Sequence, residues 1–281
     1  MFGDLTRVGA NFHAIEAWSN LKKVNGEIGR TQSRLSSGKR INTAEDDTSG
    51  YALAKQLESR RRGLSQALDN VGTAKNVLRI AEGTYHSQMS ILQRMKEKAT
   101  QAADGSYSSA QRTAINDEYT ALAKELQDIA DQAKFNDNTL FGSSMTFQVG
   151  EDNSNTLAVS FDSSTSAAIG EDNTDVSTSS VKLSTAASAS QAIGTLDTAI
   201  KSLAKSIQEM GDFNARLSSK EESLSNAISN TEATRSRIED ADFAKEQMSM
   251  MKLQILQQTT VSSFAQANAA PQSVLTLFYR S

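Results

Sequence analysis

Residues 57–102 read LESRRRGLSQALDNVGTAKNVLRIAEGTYHSQMSILQRMKEKATQA, and their spacing decides the fold. Leu57, Leu64, Val71, Leu78, Tyr85, Leu92 and Ala99 recur at every seventh position. Ala67, Ala74, Ala81, Met95 and Ala102 recur three places after members of that series. Two stripes with this offset make one apolar seam along a helix. The alanines of the second stripe admit a facing backbone closely. Lys75, Arg79, Glu82, Lys96, Glu97 and Lys98 read as the solvated face.

Followed outward, the seam predicts a helix from about Ala44 to Ala103, roughly 90 Å long at 1.5 Å per residue. A compact domain of this chain length has a radius of gyration near ~19 Å. A helix that long does not fit such a globule. The expectation is a mainly α, elongated rod of long antiparallel helices with heptad-like seams. Asp104-Gly105-Ser106 stops the helix. Ser108 followed by Gln111 reads as a capping box. Ile115, Tyr119, Leu122, Leu126, Ile129 and Ala133 then mark a second helix, ended by Asn136-Asp137-Asn138. A short turn between two helices predicts antiparallel packing.

From Ser143 to Ser190 the composition changes. Serine and threonine fill 19 of 48 positions, and Lys182 is the one basic residue. Thr146–Val149 and Thr156–Phe161 alternate apolar and polar around the turn residues Gly150–Asn155, which predicts a small central β-hairpin. The rest of the segment reads as exposed loop or near-disordered, with too little apolar surface to fold alone. Helical spacing returns at Leu196, Ile200, Leu203, Ile207, Met210, Leu217, Leu224 and Ile228. A last helical stretch carries Ala241, Ala244, Met248, Met251, Ile255, Val261 and Phe264. At the other end Ile15, Trp18, Leu21, Val24, Ile28 and Leu35 share one face. Neither terminal helix has a third partner within the chain. Apolar surface left in this way marks an association site, as do Val274, Leu275 and Leu277 near the C-terminus.

Composition excludes much else. The chain of 281 residues carries 29 basic and 33 acidic side chains, a net charge of −4. That gives no support for nucleic-acid binding, which draws on a basic field. There is no cysteine and one proline, Pro271. Disulfides, thiolate nucleophiles and sulfur-ligated metals are therefore absent. Met1–Ala10 lacks the basic and apolar regions of a cleaved signal peptide. No stretch reaches the ~18 apolar residues of a membrane span, so no membrane insertion is expected. His13 and Glu16 reflect a surface face. No metalloprotease motif, phosphate loop or nucleophile elbow occurs. The acidic runs Glu45-Asp46-Asp47 and Glu239-Asp240-Asp242 read as helix N-terminal charges or as ion-pair partners of Arg40 and Arg235. No enzyme activity and no cofactor are expected.

Two blocks carry a family resemblance. Leu35-Ser36-Ser37-Gly38-Lys39-Arg40-Ile41-Asn42-Thr43-Ala44-Glu45-Asp46-Asp47, continued by Gly50 and Leu53-Ala54, resembles bacterial flagellin. So do Ser236-Arg237-Ile238-Glu239-Asp240-Ala241-Asp242-Phe243-Ala244, Gln254-Ile255-Leu256-Gln257-Gln258, Ala265–Asn268 and Pro271–Leu275. The resemblance spans about residues 8–278. It departs at the edges, where Val8-Gly9-Ala10-Asn11 stands at the usual opening and Phe278–Ser281 extends the usual end.

The resemblance implies a structural subunit that polymerises with itself into the flagellar filament for motility. It implies export, unfolded, through the flagellar type III channel to an extracellular filament. An export chaperone and junction and cap proteins are the other implied partners. By this reading residues 1–42 and 236–281 form an inner coiled-coil tube. Residues 43–142 and 184–235 form a helical rod, and 143–183 a short insert. Arg40, Asp46, Asp47, Arg235, Glu239, Asp240, Gln254, Gln257, Val274, Leu275 and Leu277 are the candidate subunit contacts. Gln93, Arg94, Lys98 and Glu118 match the stretch by which the family meets a host Toll-like flagellin receptor. Lys98 stands where receptor-active members carry leucine, which implies weak binding. Three alternatives remain: a hook–filament junction protein of the same superfamily, a secreted coiled-coil effector or translocator, and an enzyme such as a flagellin with a metallopeptidase insert, against which the absence of histidine from the insert speaks.

Overall fold

The computed structural model describes residues 11–170, 173–177 and 181–278, with side chains as far as residue 269. The expectations for Val8–Ala10, for Tyr279–Ser281 and for the side chains of Val274, Leu275 and Leu277 lie outside the described residues. The described chain is mainly α. Its helices are α1 Phe12–Ser37, α2 Thr48–Ala103, α3 Ser109–Gln132, α4 Ala186–Glu239 and α5 Phe243–Phe278. Six short strands lie between α3 and α4. The chain divides into two compact units, Arg60–Ser229 and the paired ends Met1–Ser59 with Asn230–Ser281.

In the unit Arg60–Ser229 the heptad seam is the core. Leu64, Val71, Leu78, Tyr85, Leu92 and Ala99 are buried, with Ala67, Ala74, Ala81, Met95 and Ala102. They share one core with Ile115, Tyr119 and Leu126 of α3 and with Leu196, Leu203, Met210 and Leu217 of α4. Ion pairs from the charged face of α2 show the direction of α4. Lys75 meets Glu221 at 2.8 Å and Lys96 meets Asp197 at 2.5 Å, so α4 runs antiparallel to α2. The α2–α3 turn is built from its own polar groups. Asp104 accepts a hydrogen bond from the Ser106 N–H, and Ser108 and Gln111 exchange the two bonds of a capping box. Both satisfy backbone groups that a helix terminus leaves open.

The described residues of the insert are more structured than its composition suggests. Strands β1 Lys134–Phe135 and β2 Asn138–Thr139 pair around Asn136 and Asp137, both with positive φ. These residues turn a hairpin, and α3 already ends at Gln132. Strands β3 Ser143–Gln148 and β4 Thr156–Phe161 form the expected antiparallel hairpin, starting three residues earlier than the alternation alone indicates. Leu157, Val159 and Phe161 turn inward. The expectation of an exposed loop beyond them is corrected. Strands β5 Ser164–Thr165 and β6 Ala168–Ile169 pair, and Ile169, Val176, Val181 and Leu183 are buried in the core. Polar side chains of α3 supply the reason. The Tyr119 hydroxyl donates to the Val176 carbonyl at 3.1 Å. Asn116 Oδ1 accepts from the Leu183 N–H, and Gln127 Oε1 from the Ser166 N–H. Backbone groups of a serine-rich segment are thus satisfied by side chains of α3.

In the unit formed by the ends, α1 and α5 run antiparallel. Asn11 Nδ2 donates to the Ala267 carbonyl at 2.8 Å, and Gln257 Nε2 to Asn25 Oδ1 at 2.7 Å. The Trp18 and Phe264 rings lie 5.8 Å apart. Leu21, Val24, Ile28 and Leu35 are half-buried. Phe12, Ile15, Trp18, Phe243, Met248, Met251, Ile255 and Val261 stay exposed.

Candidate assembly site

The first motif block is the connector between α1 and α2, and the second is the connector between α4 and α5. Both lie in the unit formed by the chain ends. Gly38 ends α1 in the left-handed conformation, φ 70°, and its N–H donates to the Arg34 carbonyl. Only glycine adopts this cap without cost. The chain then runs alongside residues 239–241. The N–H groups of Arg40 and Ile41 donate to the Glu239 carbonyl at 2.7 and 3.3 Å. The Ala241 N–H donates to the Gly38 carbonyl at 2.9 Å. Two helix connectors are thus stitched to each other by main-chain bonds, which depend on backbone path more than on side-chain type.

Side chains lock the stitch. Ile41 is buried beneath it. Glu239 is 4% exposed and takes two cations, Lys39 at 2.7 Å and Arg235. Arg235 also holds Glu232, at 2.6 Å. Burial is the largest influence on the Glu239 carboxyl and pushes its pKa up. The hydrogen bonds and charges of Lys39 and Arg235 outweigh burial, and the net shift is downward. The Glu232 hydrogen bond, foremost, raises the Arg235 guanidinium above its usual range. Asp46 Oδ2 accepts the N–H groups of Asn42 and Thr43, both at 3.1 Å. These backbone bonds, that of Asn42 first, hold its carboxyl below the ordinary 3.8.

The acidic runs divide their work. Asp47 accepts the Gly50 N–H at 2.9 Å and caps α2. Asp242 accepts the Lys245 N–H at 3.2 Å and caps α5. A Cβ on Gly50 would sit 2.5 Å from the Asp47 carboxylate and 2.7 Å from Ile41 Cδ1, so any larger residue has to displace the capping carboxylate or the end of the buried isoleucine. Asp46 lies 4.0 Å from Arg34, which also reaches Glu246 at 3.6 Å. Arg40 instead donates to the Ile238 carbonyl at 2.8 Å.

The candidate contacts therefore fall into two sets. Asp46, Asp47, Arg235 and Glu239 are engaged within the chain, and Gln257 is bonded to Asn25. Arg40, Asp240 and Gln254 are exposed, Arg40 while also bonded to the Ile238 carbonyl. Sequence reasoning missed Lys39 and Arg34 as partners of these carboxylates. Their signal was position: both lie in or beside the motif that holds Asp46. In the other unit Gln93 and Arg94 are exposed on α2, and Lys98 forms an ion pair with Glu118 of α3.

A stapled pair of connectors beside a helix pair with exposed apolar residues is the architecture of a structural subunit. Comparison with known proteins gives its kind. The family model of the bacterial flagellin N-terminal helical region matches residues 8–146. The model of the C-terminal helical region matches residues 193–278. The chain is 34% identical to flagellin FlaB1 of Treponema pallidum, over 96% of this chain and 99% of that one. It is 32% identical to a flagellin of Halalkalibacterium halodurans, over 96% and 98%. A solved structure described as a flagellar hook-associated protein from Vibrio parahaemolyticus shares the fold. Its TM-score is 0.61 at 13% identity, over 69% of this chain and all of that one. This chain belongs to the bacterial flagellin family, whose members are structural subunits of the flagellar filament. Among the described residues no helix is long and apolar enough to cross a membrane.

Proposed function

We propose that copies of this chain polymerise into an extracellular flagellar filament for motility, and that the apolar flank of α1 and α5 is the surface buried between them. The observation that carries this reading is the exposed set Phe12, Ile15, Trp18, Phe243, Met248 and Ile255 on a helix pair that buries few residues of its own. A large apolar patch on a subunit of a polymeric family is most economically covered by another copy. Residues 1–42 and 236–281 build the inner coiled-coil tube, 43–142 and 184–235 the rod, and 143–183 its insert. Arg40, Asp240 and Gln254, exposed beside the stitched connectors, make direct contacts between subunits. Asp46, Asp47, Arg235 and Glu239 act by fixing the path of the connectors.

The subunit leaves the cell unfolded through the flagellar type III channel, met by an export chaperone and by junction and cap proteins. A chain with no cysteine and one proline suits that route, since it has no disulfide and one X-Pro bond to slow refolding. Electron microscopy of purified protein after salt-induced assembly tests the reading. Long filaments are the expected result. Short capped complexes would favour a junction protein, and soluble monomers at every concentration a secreted effector.

A further inference from the structure

Seven methionines fall among the residues whose side chains are described. Met95 and Met210 are buried in the core, and Met89, Met145 and Met250 are half-buried. Met248 and Met251 alone of these are exposed, at 60% and 51%. They sit three residues apart on α5 and continue into exposed Ile255. Spacings of three and four place all three on one helix face. There is no cysteine in the chain to intercept an oxidant first. The two most accessible thioethers thus occupy the middle of the apolar stripe.

We infer that Met248 and Met251 form an oxidation site on the assembly surface, with hydroperoxides as the reactant, and that their sulfoxides exclude the subunit from the filament. The inference rests on the filament reading above. The chemistry is a two-electron transfer. A sulfur lone pair attacks one oxygen of hydrogen peroxide, the S–O bond forms and the O–O bond breaks. The departing hydroxide takes the proton of the attacked oxygen and leaves as water. Sulfur is oxidised and the peroxide reduced. A thioether packs against apolar neighbours, whereas a sulfoxide is polar and chiral. Buried without a hydrogen-bond donor it opposes association. Monomers are vulnerable, and subunits already packed are shielded.

The test treats purified monomer with hydrogen peroxide and follows each methionine by peptide mass spectrometry. Met248 and Met251 are expected to oxidise before Met95 and Met210. Treated monomer is expected to need about ten-fold more protein to assemble, a shift worth about 1.4 kcal/mol. The double variant Met248→Leu, Met251→Leu should assemble and keep assembling after peroxide. The double variant Met248→Gln, Met251→Gln, polar like the sulfoxide, should assemble poorly without any oxidant. Equal oxidation rates at all four methionines would overturn the inference, as would a leucine variant that peroxide inactivates like wild type. Untreated chain that forms no filament overturns the filament reading instead, and the order of oxidation is still read.

Discussion

The two compact units solve the burial problem differently. In Arg60–Ser229 three helices cover one another, and seam residues such as Val71, Leu92 and Leu196 are fully buried. In the unit made by the chain ends α1 and α5 lie side by side, with the start of α2 and the end of α4 beside their connectors. There the buried set among the described residues is short, comprising Ala14, Thr31, Ile41, Ala54, Thr231 and Glu239, and part of it is polar. Two cylinders cannot enclose each other, so part of each apolar face stays wet. The contrast teaches that one unit is stabilised by its own sequence, whereas the other carries surface that only association hides. Each prediction below strikes one side of the contrast.

Ile255→Asp is expected to have the largest effect, and only on assembly. It places a charge in the exposed stripe of α5, where the monomer tolerates it and a packed interface does not. Filaments should disappear from electron micrographs while the far-ultraviolet helix signal of the monomer stays at wild-type strength. Loss of helicity together with assembly would show instead that this stripe stabilises the monomer.

Leu92→Ala should do the reverse. Leu92 is fully buried, and truncation of such a leucine costs about 2–5 kcal/mol. Calorimetry should record a lowered melting temperature for the monomer. If the melting temperature is unchanged, the seam is not the source of stability.

The difference between the units also explains what was legible beforehand. Heptad spacing reports burial that one helix imposes on its neighbours, so α2, α4 and their shared seam could be read directly, as could the capping box at Ser108. One seam position broke the pattern. Gln88 falls where the stripe from Ala81 to Met95 requires an apolar residue. It is 1% exposed and donates to the Ser164 carbonyl at 2.8 Å. A polar residue at such a position was the one local signal that the serine-rich segment returns to the core. Spacing on α3 marked Tyr119 as apolar and carried no hint that its hydroxyl binds Val176. The stitched connectors were visible only as family motifs. Their bonds run through main-chain groups nearly 200 residues apart in sequence, such as Arg40 to Glu239, and no side-chain period encodes them.

Acid should loosen the connectors before it reaches the seam. Glu239 and Asp46 have folded pKa values below their ordinary 4.5 and 3.8. A depressed carboxylate contributes its full stabilisation above the ordinary value and loses it as pH falls through the folded one. Melting temperature recorded between about pH 6 and pH 3 should therefore fall within the lower part of that range. Glu239→Gln should start less stable at neutral pH, by about 1–3 kcal/mol, because Lys39 and Arg235 lose their shared anion. Its curve should also be flatter in acid. A variant curve parallel to wild type throughout would assign the acid response to other carboxylates.

Lys98→Leu is expected to have the smallest effect on the fold. Lys98 pairs with Glu118, whose side chain is 58% exposed. An ion pair in water contributes about 0–1 kcal/mol, so the monomer's melting temperature should move little. The consequence lies at the surface. Lys98 neutralises Glu118 beside Arg94 and Gln93, the stretch that resembles the receptor-active pattern of the family. Leucine at this position frees the carboxylate and offers an apolar side chain, whose burial against a partner is worth roughly 1.5–3 kcal/mol. We propose that the Lys98→Leu monomer is then recognised by a Toll-like flagellin receptor at least about ten-fold better than wild type, read as a lower half-maximal dose in a reporter-cell assay. A double variant that adds Glu118→Ala should lose most of the gain. An unchanged dose response for Lys98→Leu would mean that this face serves the α2–α3 pairing alone.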